Sequence, residues 1–256
     1  WANGGNGRVE IVREDGAMRL KAHCGSRTLR AGDTFTWRVA YLITPLKPID
    51  ARKHWAQRYY HPDTWNNPIP DIEMARESGA TVVNLHQGGV LNEFINYPFL
   101  KDAQIREQTN KAHALNMKYK MYYTVRELSN HAAELPALRA LGDEVLRVGP
   151  GFHVADHLDK NRNAMMTGGP WLCEHLVDGF IPAWQQILSD GDYDSAVATT
   201  GLSRWHNYYL EGLRWMIEQV GLDGIYLDGV GYDREIMKRV RKTMDRAKPD
   251  CWIDFH

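Results

Sequence analysis

Residues 221 to 232 read G-L-D-G-I-Y-L-D-G-V-G-Y. Gly224-Ile225-Tyr226-Leu227-Asp228 is a short β-branched and aromatic run that stops at an aspartate followed by glycine. Upstream, Trp205, Tyr209, Leu213, Met216 or Ile217, and Val220 recur on one helical face. Helix, glycine turn, buried strand and terminal carboxylate together describe a β/α repeat. In parallel α/β folds the carboxyl end of the strand is where chemistry is placed. Asp228 is therefore the first candidate functional residue. An aspartate and a glycine after a strand also make an ordinary turn, and Asp223 reads as a cap or turn residue at the strand entrance.

The repeat extends in both directions. Asp71 to Ser78 predicts a short helix that leads through Gly79 into a strand at Thr81–His86. Asp102 can cap a helix running to about Leu115, with Ile105, Ala112 and Leu115 on its apolar face. A second strand, Tyr119–Val125, ends in Arg126-Glu127, and a right-handed βαβ unit is the economical connection. Phe180–Trp184 reads as a third barrel strand, although Pro182 counts against a central position and a helix through Ile187 is as easy. Helix 203–220, strand 224–228, helix 233–246 and strand 251–256 follow. The stretch His153–Pro170 reads as a long insertion. Long loops at the carboxyl ends favour a (β/α)8 TIM-like barrel over a doubly wound sheet, incomplete at about its fifth strand.

Residues 1–48 pattern differently. Val9, Ile11 and Val12 begin one strand, and Phe35, Trp37, Val39 and Tyr41 alternate with Thr36, Arg38 and Ala40 in another, with a turn at Gly32-Asp33. This predicts the C-terminal part of a β-sandwich, joined by the linker Thr44-Pro45-Leu46-Lys47-Pro48 to a barrel domain over 49–256. Trp1 and the terminal run Cys251–His256 both read as mid-element, so the chain is expected to be a piece of a longer protein whose native start has been removed.

Composition narrows the chemistry. Thirty-one Lys and Arg balance 32 Asp and Glu, which argues against a nucleic-acid surface. Three dispersed cysteines form no C-x-x-C pair, so structural zinc and dithiol chemistry are disfavoured. No apolar run approaches the roughly 20 residues of a membrane helix, and no G-x-G-x-x-G or P-loop follows a strand, so no cofactor is expected. Nine Trp and twelve Tyr against six Phe suit a cleft for a hydroxyl-rich ligand, and equally a tightly packed barrel.

The predicted strand ends carry Asn84 and His86, then Tyr123, Arg126 and Glu127, then Asp228, then Asp254 and His256. Convergence of these groups suits cleavage of a glycosidic bond, which needs a carboxylate at the anomeric carbon and a protonated group at the leaving oxygen. Asp228 is the nucleophile or charge stabiliser. Glu127 or Asp254 is the acid, unless that group lies beyond residue 256. Trp171, Glu174, His175, Trp184 and Tyr232 complete the candidate substrate contacts. A metal site at His153-x-x-x-His157 with Asp156 and Asp159 lacks the H-E-x-x-H pattern, so no metal is assigned, and no G-x-S-x-G elbow supports a serine hydrolase. A non-catalytic carbohydrate-binding module on a degenerate barrel is the alternative.

The linker Thr44–Pro48, the segment Gly169-Pro170-Trp171-Leu172-Cys173-Glu174-His175-Leu176 and the stretch Gly221–Gly229 together resemble the bacterial glycoside hydrolase-like proteins related to family 123. Those proteins pair a β-sandwich with a TIM-like barrel and are common in gut Bacteroidetes that degrade glycans. The resemblance implies an oligosaccharide or polysaccharide substrate and a secreted, periplasmic or outer-surface location. Family 123 proper uses the substrate's own N-acetyl group as nucleophile, guided by an adjacent Asp-Glu pair. Here Asp228 is followed by Gly229, so that feature does not carry over. A lone aspartate ending the fourth strand is similar instead to retaining α-galactosidase-type barrels, where the acid comes from a later strand.

Overall fold

The computed structural model describes residues 5–36, 38, 50–62, 69–149, 179–188, 193–228 and 233–256. The chain packs as two units, Trp1–Asp50 and Ala51–His256.

In the first unit, β1 (Arg8–Glu14) and β2 (Ala17–His23) pair antiparallel, with Glu14 opposite Ala17. Asp15 and Gly16 form the two-residue turn, both at positive φ (52° and 76°), the backbone that matches the twist of a tight hairpin. The turn at Gly32-Asp33 is present, closed by Asp33 N–H to the Arg30 carbonyl at 3.0 Å. Most of the strand expected at 35–41, and the proline linker, lie outside the described residues.

The second unit begins with α1 (Ala51–Trp55), β3 (Tyr59–Tyr60), α2 (Ile72–Glu77) and β4 (Val82–Leu85). Then come α3 (Asp102–Ala114), β5 (Lys118–Tyr122), β6 (Glu127–Ser129) and α4 (Leu135–Arg139). It continues through β7 (Pro182–Ile187), β8 (Tyr193–Ala198), α5 (Trp205–Trp215), β9 (Gly224–Leu227), α6 (Arg234–Ala247) and β10 (Trp252–Phe255). Asp71 and Asp233 cap α2 and α6 by accepting backbone N–H bonds. Asp102, expected as a cap, lies in the first turn of α3, because a 3-10 turn at Pro98–Lys101 precedes it.

Five strands form one all-parallel sheet in the order β3-β4-β5-β9-β10. Their order follows the chain without reversal. A doubly wound sheet would switch direction in the middle, so this is the first arc of a (β/α)8 barrel. The arc is curled. Laid flat, four strand spacings of ~4.8 Å would hold its edges roughly 19 Å apart, yet Tyr59 on one edge donates its hydroxyl to Asp254 on the other at 3.3 Å.

The strand expected at 180–184 is not part of this sheet. β7 pairs antiparallel with β8, and β8 with β6, in a separate three-stranded sheet inserted between the third and fourth parallel strands. Pro182 is tolerated because it opens β7, next to a register shift between residues 182 and 184. The strand count still stands at five, because the two-residue β3 was too short to give a periodic signal.

Alternation along the strands separates two environments. Val83, Leu85, Tyr119, Met121, Ile225 and Leu227 point to the helices and are buried with Leu213, Val240 and Met244. The opposite, concave face carries Tyr59, Asn84, Lys120, Tyr122, Tyr226 and Asp254. A π-helical turn at Met216–Val220 ends α5, and Gly221 (φ 88°) reverses the chain into β9. Gly224 is required where it stands: a Cβ there would lie 2.3 Å from the Trp252 carbonyl oxygen of the adjacent strand.

Candidate functional site

The carboxyl ends of the parallel strands bring the candidate groups together on the concave side. Asp228 follows β9 and is one-third exposed. His256 follows β10 and donates from Nδ1 to Asp228 Oδ1 at 2.9 Å. Arg126, on the crossover from β5 to β6, places Nη2 3.8 Å from Asp228 Oδ2 and Nε 3.8 Å from Glu127 Oε1. One guanidinium thus stands between two carboxyl groups. It limits the separation of those two oxygens to about 10 Å, the span over which paired glycosidase carboxyls work.

The environments of the two carboxyls differ. Glu127 is buried, with Oε1 accepting the Tyr122 hydroxyl at 2.9 Å and Oε2 without a hydrogen-bond partner. Burial raises its pKa, the negative charges of Asp228 and Asp194 add to the rise, and Arg126 and Tyr122 offset only part of it. Asp228 sits in the more polar and open place.

Glu127 is held by groups that sequence reasoning passed over. Asn96, at φ 55°, donates to the carbonyls of Thr124 (2.6 Å) and Glu127 (2.5 Å) and accepts the Thr124 N–H at 2.7 Å. Buried Asp194 accepts the Ile95 N–H at 3.0 Å and is bonded by Ser129 Oγ, so β6 is pinned from both sides. Burial pushes the Asp194 carboxyl up to about 6. Asn96→Ala removes three buried backbone bonds and leaves alanine at positive φ. We expect a loss of roughly 2–4 kcal/mol, to be checked by urea unfolding; a midpoint unchanged from wild type would show that Asn96 does not hold this crossover.

Around this pair lies a collar of rings: His61, His86, Tyr122, Tyr226 and His256. Tyr226 is 5.8 Å from both Tyr122 and His86 and stacks on His256 at 6.0 Å. His61, Tyr122 and Tyr226 were not anticipated. For the two tyrosines the signal was present in the period-two alternation of β5 and β9, which puts Tyr122 and Tyr226 on the same face as Asp228.

The same alternation corrects the assignment of Tyr123 to the cleft. Its neighbour Tyr122 takes the inner face, so Tyr123 points outward, fully buried and stacked 4.6 Å from Tyr209 on α5. Asp254 does face inward but is engaged by the buried Lys120 ammonium and by Tyr59. Burial pushes Lys120 down to about 7. Trp184 lies half-buried on β7 of the inserted sheet. Trp171, Glu174, His175 and Tyr232, and the His153 and His157 pair, fall outside the described residues.

Asp223 is more than a turn residue. Its buried carboxylate meets Lys248 at 2.8 Å, Lys118 at 3.1 Å, His113 at 2.7 Å and the Tyr119 N–H at 2.8 Å. Burial alone would raise its pKa; Lys248, the Tyr119 N–H and His113 more than offset this and hold it below the usual range. It sits at the opposite end of the strands from Asp228, where a TIM barrel keeps its stability rather than its chemistry. Among the described residues, no group of three or more His, Cys, Asp or Glu is placed to hold a metal, and no helix is long and apolar enough to cross a membrane.

Comparison with known proteins adds lineage to this geometry. Residues 50–256 match the profile of "Glycoside hydrolase 123, TIM-barrel domain", and residues 1–45 match "Glycoside hydrolase 123, third domain". No curated protein matches the chain. Among solved structures, the backbone is similar to the α-amylase of Geobacillus thermoleovorans complexed with acarbose. That likeness has 13% identity and a TM-score of 0.45, and covers 78% of this chain and 44% of that one. It is also similar to an Anoxybacillus α-amylase, at 13% identity and a TM-score of 0.46, covering 78% of this chain and 47% of that one. The debranching enzyme of Nostoc punctiforme gives 12% identity and a TM-score of 0.47, over 73% of this chain and 38% of that one. The chain thus spans less than half the length of each.

Proposed function

This chain belongs to the glycoside hydrolase 123 family, and from that premise we propose that its cleft hydrolyses a glycosidic bond of a complex glycan. The observation that carries the proposal is the Glu127–Arg126–Asp228 arrangement: two carboxyl groups on either side of one guanidinium, one buried with its pKa raised and the other partly open to solvent. Asp228 acts at the anomeric carbon, as nucleophile or as stabiliser of the oxocarbenium-like transition state. Glu127, whose pKa burial raises, serves the leaving oxygen. The second carboxyl on Arg126 comes from Glu127 at the head of β6 and not from the residue after Asp228, which is Gly229. This favours direct carboxylate chemistry over assistance by a substrate acetamide.

Glu127→Gln tests the acid. Proton donation is worth about 10²–10⁴ in rate, so glycosides with alkoxide leaving groups should lose that much, while dinitrophenyl glycosides should lose only a few-fold. Because the Glu127 pKa is raised, the wild-type rate should fall as pH climbs through it, and that limb should vanish in Glu127→Gln. Equal losses for both leaving groups would reduce Glu127 to a support for Tyr122 and Arg126.

The alternative, a non-catalytic carbohydrate-binding module, predicts saturable sugar binding and no turnover from the wild type. A panel of aryl α- and β-glycosides and natural glycans, offered to the full-length protein, separates the two.

A further inference from the structure

The hydrolytic reading leaves one part of the concave face without a role. His61 follows β3, Asn84 lies in β4 and His86 follows β4. The two imidazoles meet edge to face with centroids 5.0 Å apart, and Tyr226 lies 6.1 Å from His61 and 5.8 Å from His86.

Each imidazole has a partner that decides which nitrogen carries its proton. His86 Nδ1 is 3.0 Å from the Gln87 carbonyl oxygen. A carbonyl only accepts, so Nδ1 is protonated and the neutral ring carries its lone pair on Nε2. His61 Nδ1 is 3.0 Å from Asn84 Nδ2. An amide nitrogen only donates, so here Nδ1 holds the lone pair and Nε2 the proton. Burial lowers the pKa of both rings, and the charge of His86 lowers that of His61 further, which keeps the pair neutral near pH 7. Two adjacent imidazoles therefore offer opposite polarity, a donor at His61 Nε2 and an acceptor at His86 Nε2. Asn84, only 2% exposed, adds a buried Oδ1 with no hydrogen-bond partner. Such an orphaned acceptor is costly unless a ligand satisfies it.

We propose that His61, Asn84 and His86 form a subsite that reads one pyranose ring through two neighbouring hydroxyl groups, with Tyr226 as its apolar wall. A hydroxyl can give a proton to His86 and its neighbour can accept one from His61. A carboxylate has no proton to give His86, and an ammonium has no lone pair for His61, so each of the two groups read here is a hydroxyl. The subsite rests on the reading of this cleft as a carbohydrate site. Asp228 is close enough for its charge to act on His86, so the ring held here belongs to the glycan being cleaved.

The experiment is calorimetric titration of the full-length protein with methyl α- and β-pyranosides of glucose, galactose and mannose. The N-acetylhexosaminides join this panel, and the single-deoxy derivatives of the tightest binder follow. Wild type, His61→Phe and His86→Phe are compared, since phenylalanine keeps the ring contacts and removes the polar ones. In the wild type, deletion of either of two adjacent hydroxyls should weaken binding roughly tenfold. One of those penalties should disappear in His86→Phe and the other in His61→Phe. If the penalties persist unchanged in both variants, or if no pyranoside binds at millimolar concentration, the subsite is overturned. Binding is read without turnover, so the two readings fail separately. An inactive protein that shows this pattern keeps the subsite and loses the hydrolase; an active one without the pattern does the reverse.

Discussion

Asp228→Asn in the full-length protein should lower kcat/KM about 10³-fold or more while leaving the fold intact. The magnitude follows from the kind of group removed: a carboxylate that meets positive charge as it develops at the anomeric carbon has no neutral substitute. The stability side follows from the surroundings. Asp228 is partly exposed, and its partners His256 and Arg126 are themselves largely open to solvent. Surface ion pairs of this kind contribute about 0–1 kcal/mol, so the melting temperature should move by only a few degrees. Steady-state kinetics on an aryl glycoside, with unfolding followed in parallel, measures both. Turnover within tenfold of wild type would remove Asp228 from the chemistry. Lost turnover together with a collapsed melting curve would show a structural role instead.

The largest expected effect on stability is at Asp223, only five residues earlier. Asp223→Ala leaves Lys118, Lys248 and His113 without their common counter-charge and removes a bond to the Tyr119 N–H. Breaking one side of a buried ion pair costs about 3–5 kcal/mol. Partial exposure of both lysines places the expectation toward the lower figure. The pH dependence has a definite sign. The folded-state pKa of Asp223 is depressed, so its contribution is complete above the unfolded value near 4 and is lost as pH falls through the folded one. Urea unfolding at neutral pH should separate wild type from Asp223→Ala clearly, and the two should converge in strong acid. A constant gap between them down to strong acid would mean that the carboxylate charge is not what stabilises the sheet.

The two aspartates of Gly-Leu-Asp-Gly-Ile-Tyr-Leu-Asp stand at opposite ends of one strand and divide the labour of the barrel between them. Asp223 ties the third, fourth and fifth parallel strands together where they begin. Asp228 faces the cleft where they end. Arg126 and His256 reach it there, and Arg126 links it to Glu127 at the head of β6.

The sequence by itself determined the β/α rhythm, the helices that begin near Asp71 and Asp233, and the placement of Asp228 at the carboxyl end of a buried strand. All of these rest on local periodicity and capping, which neighbouring residues decide among themselves. It also carried the family resemblance, in short runs such as Gly221–Gly229. Only the tertiary structure decided the rest. β3 is two residues long, below the length at which alternation can be read, so the first strand and His61 stayed hidden. β7 has strand-like composition, but only its partners place it in the inserted antiparallel sheet. Tyr122 and Tyr123 are chemically alike, and a one-residue difference in register sends one to the cleft and the other to the core. The engagement of Asp254 by Lys120 was equally hidden, because curling of the sheet brings the two together from two strands away. Such pairings form between residues distant in the chain, and closure of the arc alone sets their distances.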